Sequence, residues 1–114
     1  MLNATANDNT SSIDATHPAF KHFLEVAQTL VDRDRNAGRV ASLSPDTISA
    51  EVGRRYIRIV CTSGPQRASW AFVDRVTGDI LKAANWASPA KHPRGNILRE
   101  DFQGLSGYGP AYLR

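Results

Sequence analysis

From Pro18 onward, apolar side chains recur at helical spacing. Phe20, Phe23, Leu24, Ala27, Leu30 and Val31 form one stripe, the signature of an amphipathic helix. The opposite face carries Lys21, His22, Glu25, Gln28, Asp32 and Arg35. Thr16 or His17 stands at the N-cap position, and Pro18 suits a first turn, where a missing N–H leaves nothing unsatisfied. Asn36-Ala37-Gly38 supplies a stop, because glycine adopts positive φ without strain. The pattern predicts a helix from about Pro18 to Asn36. Its stripe has two destinations: the domain's own sheet, which needs a cover, or the same stripe on a second copy.

After Gly53 the apolar period changes to two. Arg55 to Thr62 alternates, with Ile57, Ile59 and Cys61 on one face and Tyr56, Arg58 and Val60 on the other. Ser63-Gly64-Pro65 reads as a turn. Arg67 to Asp74 reads as a second strand, with Trp70 and Phe72 sharing a face. Asp74-Arg75-Val76-Thr77-Gly78-Asp79 fits a hairpin loop with Gly78 at the positive-φ position, and Ile80 to Ala84 returns as a third strand. Thr47 to Val52 fits a short strand after the turn Ser44-Pro45-Asp46. The expected class is α+β: an N-terminal amphipathic helix packed on a small antiparallel β-meander, with an irregular Pro/Gly-rich C-terminal region.

Residues 1–15 are polar and hold few large apolar groups, so burial cannot offset their ordering entropy. They read as a flexible tail, leaving 16–114 as one domain. Gly104, Gly107 and Gly109 stand beside Tyr108, Tyr112, Leu113 and Arg114, which indicates a C-terminus that docks.

With 114 residues and 41% hydrophobic content, the chain makes one small domain. A net charge of +3 allows an anionic partner without requiring one. Cys61 is the only cysteine, so no intramolecular disulfide is open to it, and its place in a strand marks a small core residue. His17, His22 and His92 lack metal-ligand spacing. There is no phosphate-cradling glycine loop, nucleophile elbow or acid–base set. The sequence therefore points to a binding protein, with no enzymatic activity and no cofactor. No apolar run approaches 18 residues and the N-terminus lacks an apolar signal core, so a cytoplasmic location is expected.

The chemistry concentrates between Lys82 and Asn96. Trp86 suits stacking on a base, Lys91 and Arg94 suit phosphate, and Asn96 suits a sugar hydroxyl or base edge. The same residues also describe a packed connection. Arg54, Arg55, Arg58 and Arg67 cluster on the first two strands. They make either a solvated sheet face or, with Lys82, Lys91, Arg94 and Arg114, an anion pocket.

The stretches Tyr56–Val60, Ala71–Asp74, Thr77–Ile80, Lys82–Trp86 and Pro89–Asn96, with the ending Tyr108–Arg114, resemble a widespread family of small phage proteins. Within it the chain most resembles the first-described Thoeris anti-defence sponges. The resemblance implies sequestration of cyclic ADP-ribose isomers made by bacterial TIR-domain proteins, without cleavage. It also implies cyclic trinucleotides as possible second ligands, and a homo-oligomer, with helices paired in dimers and the whole a hexamer. The family's stacking aromatic, loop asparagine and C-terminal arginine match Trp86, Asn96 and Arg114, with Lys91 and Arg94 between them. Phe72 is the other candidate for the stacking ring. The alternative reading is a phage accessory protein that binds single-stranded nucleic acid, for which the same Trp, Arg and Lys set is suited.

Overall fold

The computed structural model describes residues 12–40 and 44–111. Helix α1 spans Pro18–Val31 and widens into a π-helical segment, Asp32–Asn36. His17 caps it, its Nδ1 accepting the Ala19 N–H at 3.1 Å. Five strands follow: β1 (Thr47–Val52), β2 (Tyr56–Ser63), β3 (Gln66–Asp74), β4 (Asp79–Leu81) and β5 (Gly95–Asn96). They form one antiparallel sheet whose spatial order is the chain order. β6 (Leu105–Ser106) and β7 (Gly109–Pro110) make a separate two-stranded ribbon. The fold is α+β, as the sequence implies, although the helix does not open the chain.

Helix α1 closes one face of the sheet. Phe20, Phe23, Ala27 and Val31 are fully buried in one cluster with Ile57, Ile59, Val73 and Ile80, and Leu24 and Leu30 pack against it. The apolar stripe is thus occupied by the domain's own sheet, which leaves it unavailable for a seam between helices of two copies. Cys61 lies in the same cluster, and burial pushes its thiol above the usual range. Ile13, which the sequence placed in the tail, is also buried there. It is tied to Arg75 in both directions: its N–H donates to the Arg75 carbonyl at 2.7 Å, and Arg75 Nε donates to its carbonyl at 2.7 Å. Residues 1–11 lie outside the described residues.

One irregularity decides what each face of the sheet carries. Ile59 pairs with Ala71 but Val60 pairs with Ser69, so Trp70 is an extra residue on β3, a β-bulge. Trp70 and Ala71 both join the core under α1, while Phe72 is opposite Arg58 on the outer face. The expectation that Trp70 and Phe72 share a face is therefore corrected: strict alternation fails at the bulge.

The end of α1 is bound to the start of β1. The Asn36 side chain accepts the Asp46 N–H at 2.8 Å and donates to its carbonyl at 3.0 Å. Gln28, on the polar face of the helix, accepts the Ile48 N–H at 2.8 Å and so closes part of the free edge of β1. Fully buried Asp46 receives Arg39 Nη1 at 2.8 Å. Arg35 Nε lies 2.9 Å from its other oxygen, off the N–H axis, so that contact is coulombic. Burial raises the Asp46 pKa, but hydrogen bonds from Ser63 and Arg39 and the two guanidinium charges outweigh it and hold the group below its usual range.

The glycine-rich C-terminal segment docks, as its tyrosine content suggests. The Gly107 N–H donates to Asp34 Oδ2 at 2.7 Å, its carbonyl accepts Trp70 Nε1 at 2.9 Å, and Tyr108 Oη donates to the Asp34 carbonyl at 3.1 Å. A Cβ at Gly107 would stand 2.6 Å from Asp34 Cβ, so only glycine permits this approach. Hydrogen bonds from Arg33 first, then from the Gly107 N–H, lower the Asp34 pKa to about 2. A depressed carboxylate stabilises the fold fully above its unfolded value near 3.8 and loses that contribution as pH falls through about 2. Acid titration followed by tryptophan fluorescence should show the β6–β7 ribbon loosening in that window. Asp34→Asn should remove this component; an identical acid limb in the variant would show that Asp34 does not hold the ribbon.

Candidate binding site

The outer face of the sheet, away from α1, carries the chemistry. Cross-strand register places Glu51 opposite Arg58 and Arg58 opposite Phe72. Arg54 and Arg55 form the turn from β1 to β2. The part of the 82–96 segment around Trp86 folds back over this face. Asn85 Oδ1 accepts the Ala87 and Ser88 N–H groups, each at 2.9 Å, which bends the loop tightly. Arg58 Nε and Ser69 Oγ then donate to the Trp86 carbonyl at 2.9 and 2.7 Å. The loop is thus anchored to β2 and β3 beside a groove of about 420 Å³, whose floor and walls include Arg54, Arg55, Tyr56, Arg58, Phe72 and Ala87. That volume suits a small-molecule ligand.

Rings and guanidiniums interleave here. The Arg58 guanidinium lies 4.5 Å from the Trp86 ring centroid and 5.9 Å from Phe72, and Arg67 lies 5.3 Å from Trp86. These are cation–π distances. Tyr56 meets Phe72 edge-on at 6.2 Å. Glu51 bridges the two arginines: Oε1 receives Arg58 Nη1 at 2.8 Å and Oε2 receives Arg67 Nη2. Arg67 first, then Arg58, holds the Glu51 carboxyl below its usual range. Asp74 pairs with Arg55 at 2.8 Å. Four guanidiniums thus face two carboxylates, leaving the patch with a net +2.

The sequence-derived residues separate into two places. Trp86, 41% exposed, and Phe72, 3% exposed, share the Arg58 guanidinium at the sheet face. Phe72 is a floor beneath Arg58, whereas Trp86 keeps part of its side chain in solvent. Arg94 and Asn96 border a second groove, of about 500 Å³, with Arg99, Asp79 and Asp101. Its two guanidiniums and two carboxylates give an anion little net attraction. Asn96 is buried and its amide is saturated: Nδ2 donates to the Thr77 carbonyl and Asp79 Oδ1 at 3.0 Å each, and Oδ1 accepts the Leu98 and Arg99 N–H groups at 2.8 and 3.2 Å. The Arg94 guanidinium donates to the carbonyls of Lys91, His92 and Ala111. Both residues thus staple the loop. Lys91 is exposed and Lys82 Nζ donates to the Pro110 carbonyl at 3.1 Å. Arg114 lies outside the described residues.

Tyr56, Glu51 and Ser69 are residues at this face that the sequence did not single out. The β1 pattern Thr47, Ser49, Glu51, all polar and two apart, was the available signal for Glu51. Among the described residues no cluster of three or more His, Cys, Asp or Glu could hold a metal ion. No helix among them is long and apolar enough to cross a membrane.

The fold and the groove define an α+β domain with a cationic, aromatic sheet face. The chain belongs to a family of unknown function, DUF7717, whose model matches residues 4–105. No curated protein and no solved structure matches it.

Proposed function

We propose that this protein is a binding module that holds a phosphorylated, base-bearing ligand on the outer face of its sheet and does not turn it over. The observation that carries the reading is the partly exposed Trp86, flanked by Arg58 and Arg67 beside a groove that Arg54, Arg55 and Arg58 line. Indole stacks on a base, and guanidinium forks bond two phosphate oxygens at once. The resemblance described above makes a cyclic ADP-ribose isomer the ligand of choice, sequestered as a phage counter-defence in the host cytoplasm. A hexamer of the kind it implies must be built from surfaces other than the α1 stripe.

Calorimetric titration with a cyclic ADP-ribose isomer, followed by heating and mass spectrometry of the released nucleotide, tests both halves. The ligand should bind and return intact. Trp86→Ala should weaken binding by about one to two decades, the worth of one base–aromatic stack, and Arg58→Ala by a similar factor. Asn96→Ala should instead lower the melting temperature. A linear nucleotide product would make the protein an enzyme and end the proposal. Affinity for oligonucleotides that falls steeply with salt would favour the single-strand reading.

A further inference from the structure

We propose that Glu51 is the resident counter-anion of this site, occupying the place a ligand phosphate takes and leaving it when the ligand binds. The inference rests on the functional reading above and goes further, to how the site selects its ligand. One carboxylate oxygen faces Arg58 and the other Arg67. Both guanidiniums also lie against Trp86, the ring offered to a base. A phosphate set against that ring would meet the same two guanidiniums that Glu51 now bridges. The Glu51 side chain is 41% exposed, so it has solvent to swing into.

Electrostatics gives this arrangement a consequence. With Glu51 in place, Arg58 and Arg67 are partly neutralised, and a monovalent anion gains little by entering. A phosphate or diphosphate brings higher charge density and displaces the carboxylate, and the base attached to it adds the stacking contact that holds the exchange in its favour. Glu51 would thus exclude ordinary anions such as chloride and carboxylic acids while admitting nucleotides. Arg54 and Arg55 border the groove, and the Arg55–Asp74 pair is unchanged by the exchange.

The test is titration of wild type, Glu51→Gln, Glu51→Asp and Arg58→Ala with adenosine diphosphate and with inorganic pyrophosphate at fixed ionic strength, beside thermal melts of each. Glu51→Gln is nearly isosteric and should bind both probes about fivefold more tightly than wild type, the scale of releasing exposed ion pairs. Glu51→Asp should stay near wild type. Chloride should compete more strongly against Glu51→Gln than against wild type. If wild type binds but Glu51→Gln binds equally or less well, Glu51 orients the arginines and the inference is overturned, with the functional reading intact. If no variant binds either probe, or Arg58→Ala binds as wild type does, the functional reading fails and takes the inference with it.

Discussion

Phe23→Ala should lower the stability of the fold by about 3–5 kcal/mol, the usual cost of removing a fully buried phenylalanine. Phe23 has no exposed surface. Its ring lies 6.0 Å from Phe20, 6.3 Å from Trp70 and 6.1 Å from Phe102, between centroids. These neighbours come from α1, β3 and the segment after β5, so a void at this point loosens three parts of the chain at once. Rigid strands around it limit collapse, which keeps the cost high. Urea unfolding followed by tryptophan fluorescence should report it, because Trp70 borders the void. A loss below about 1 kcal/mol would mean that α1 is not the main cover of this face.

Asp46→Ala should cost about 3 kcal/mol, at the lower end of the range for removing one partner of a buried ion pair. The Asp46 carboxylate itself is out of reach of solvent, but Arg35 and Arg39 above it are each 25% exposed. Only a thin cover of guanidinium separates the charge from water, and the two arginines left behind regain part of their hydration. The loss should therefore be smaller than for a pair in the deep interior. Asp46→Asn should recover some stability by keeping the shape and accepting the Arg39 hydrogen bond. Equal melting temperatures for Asp46→Ala and wild type would contradict the role assigned to this cluster.

The two periodic elements of the fold were legible because each repeats its signal. The α1 stripe presents six apolar positions, and β2 alternates through its length, so the noise of single residues averages out. The bulge left no such trace: Trp70 and Phe72 are both aromatic, and a simple alternation accounts for the letters while misplacing one ring. Strand β5 is two residues long, Gly95 and Asn96, too short for any period. Ile13 is one apolar residue in a polar stretch, and its burial depends on Arg75, 62 positions away.

The candidate site was half legible for a related reason. Residue types suited to a nucleotide were visible in the 82–96 loop and on the first two strands, but not which of them meet. Trp86 reaches Arg58 across 28 residues of sequence. Asn96 and Arg94 illustrate the ambiguity of chemistry without geometry. A carboxamide or guanidinium able to bind a ligand is equally able to satisfy loop carbonyls, and here both do so.

The extra residue at Trp70 gives β3 two reading frames, one for each side of the sheet. Without it, Phe72 would fix the pattern backward along the strand, turning Trp70 outward and driving Arg67 beneath the helix. Length changes between Arg67 and Phe72 should therefore be purged even where substitutions are tolerated. Deleting Ser69 would bring Trp70 to the outer side in its place, emptying part of the core and removing the hydroxyl that anchors the Trp86 loop. Anyone transplanting this cationic face onto another hairpin must carry the insertion with it, or the charge meant for solvent will arrive in the interior.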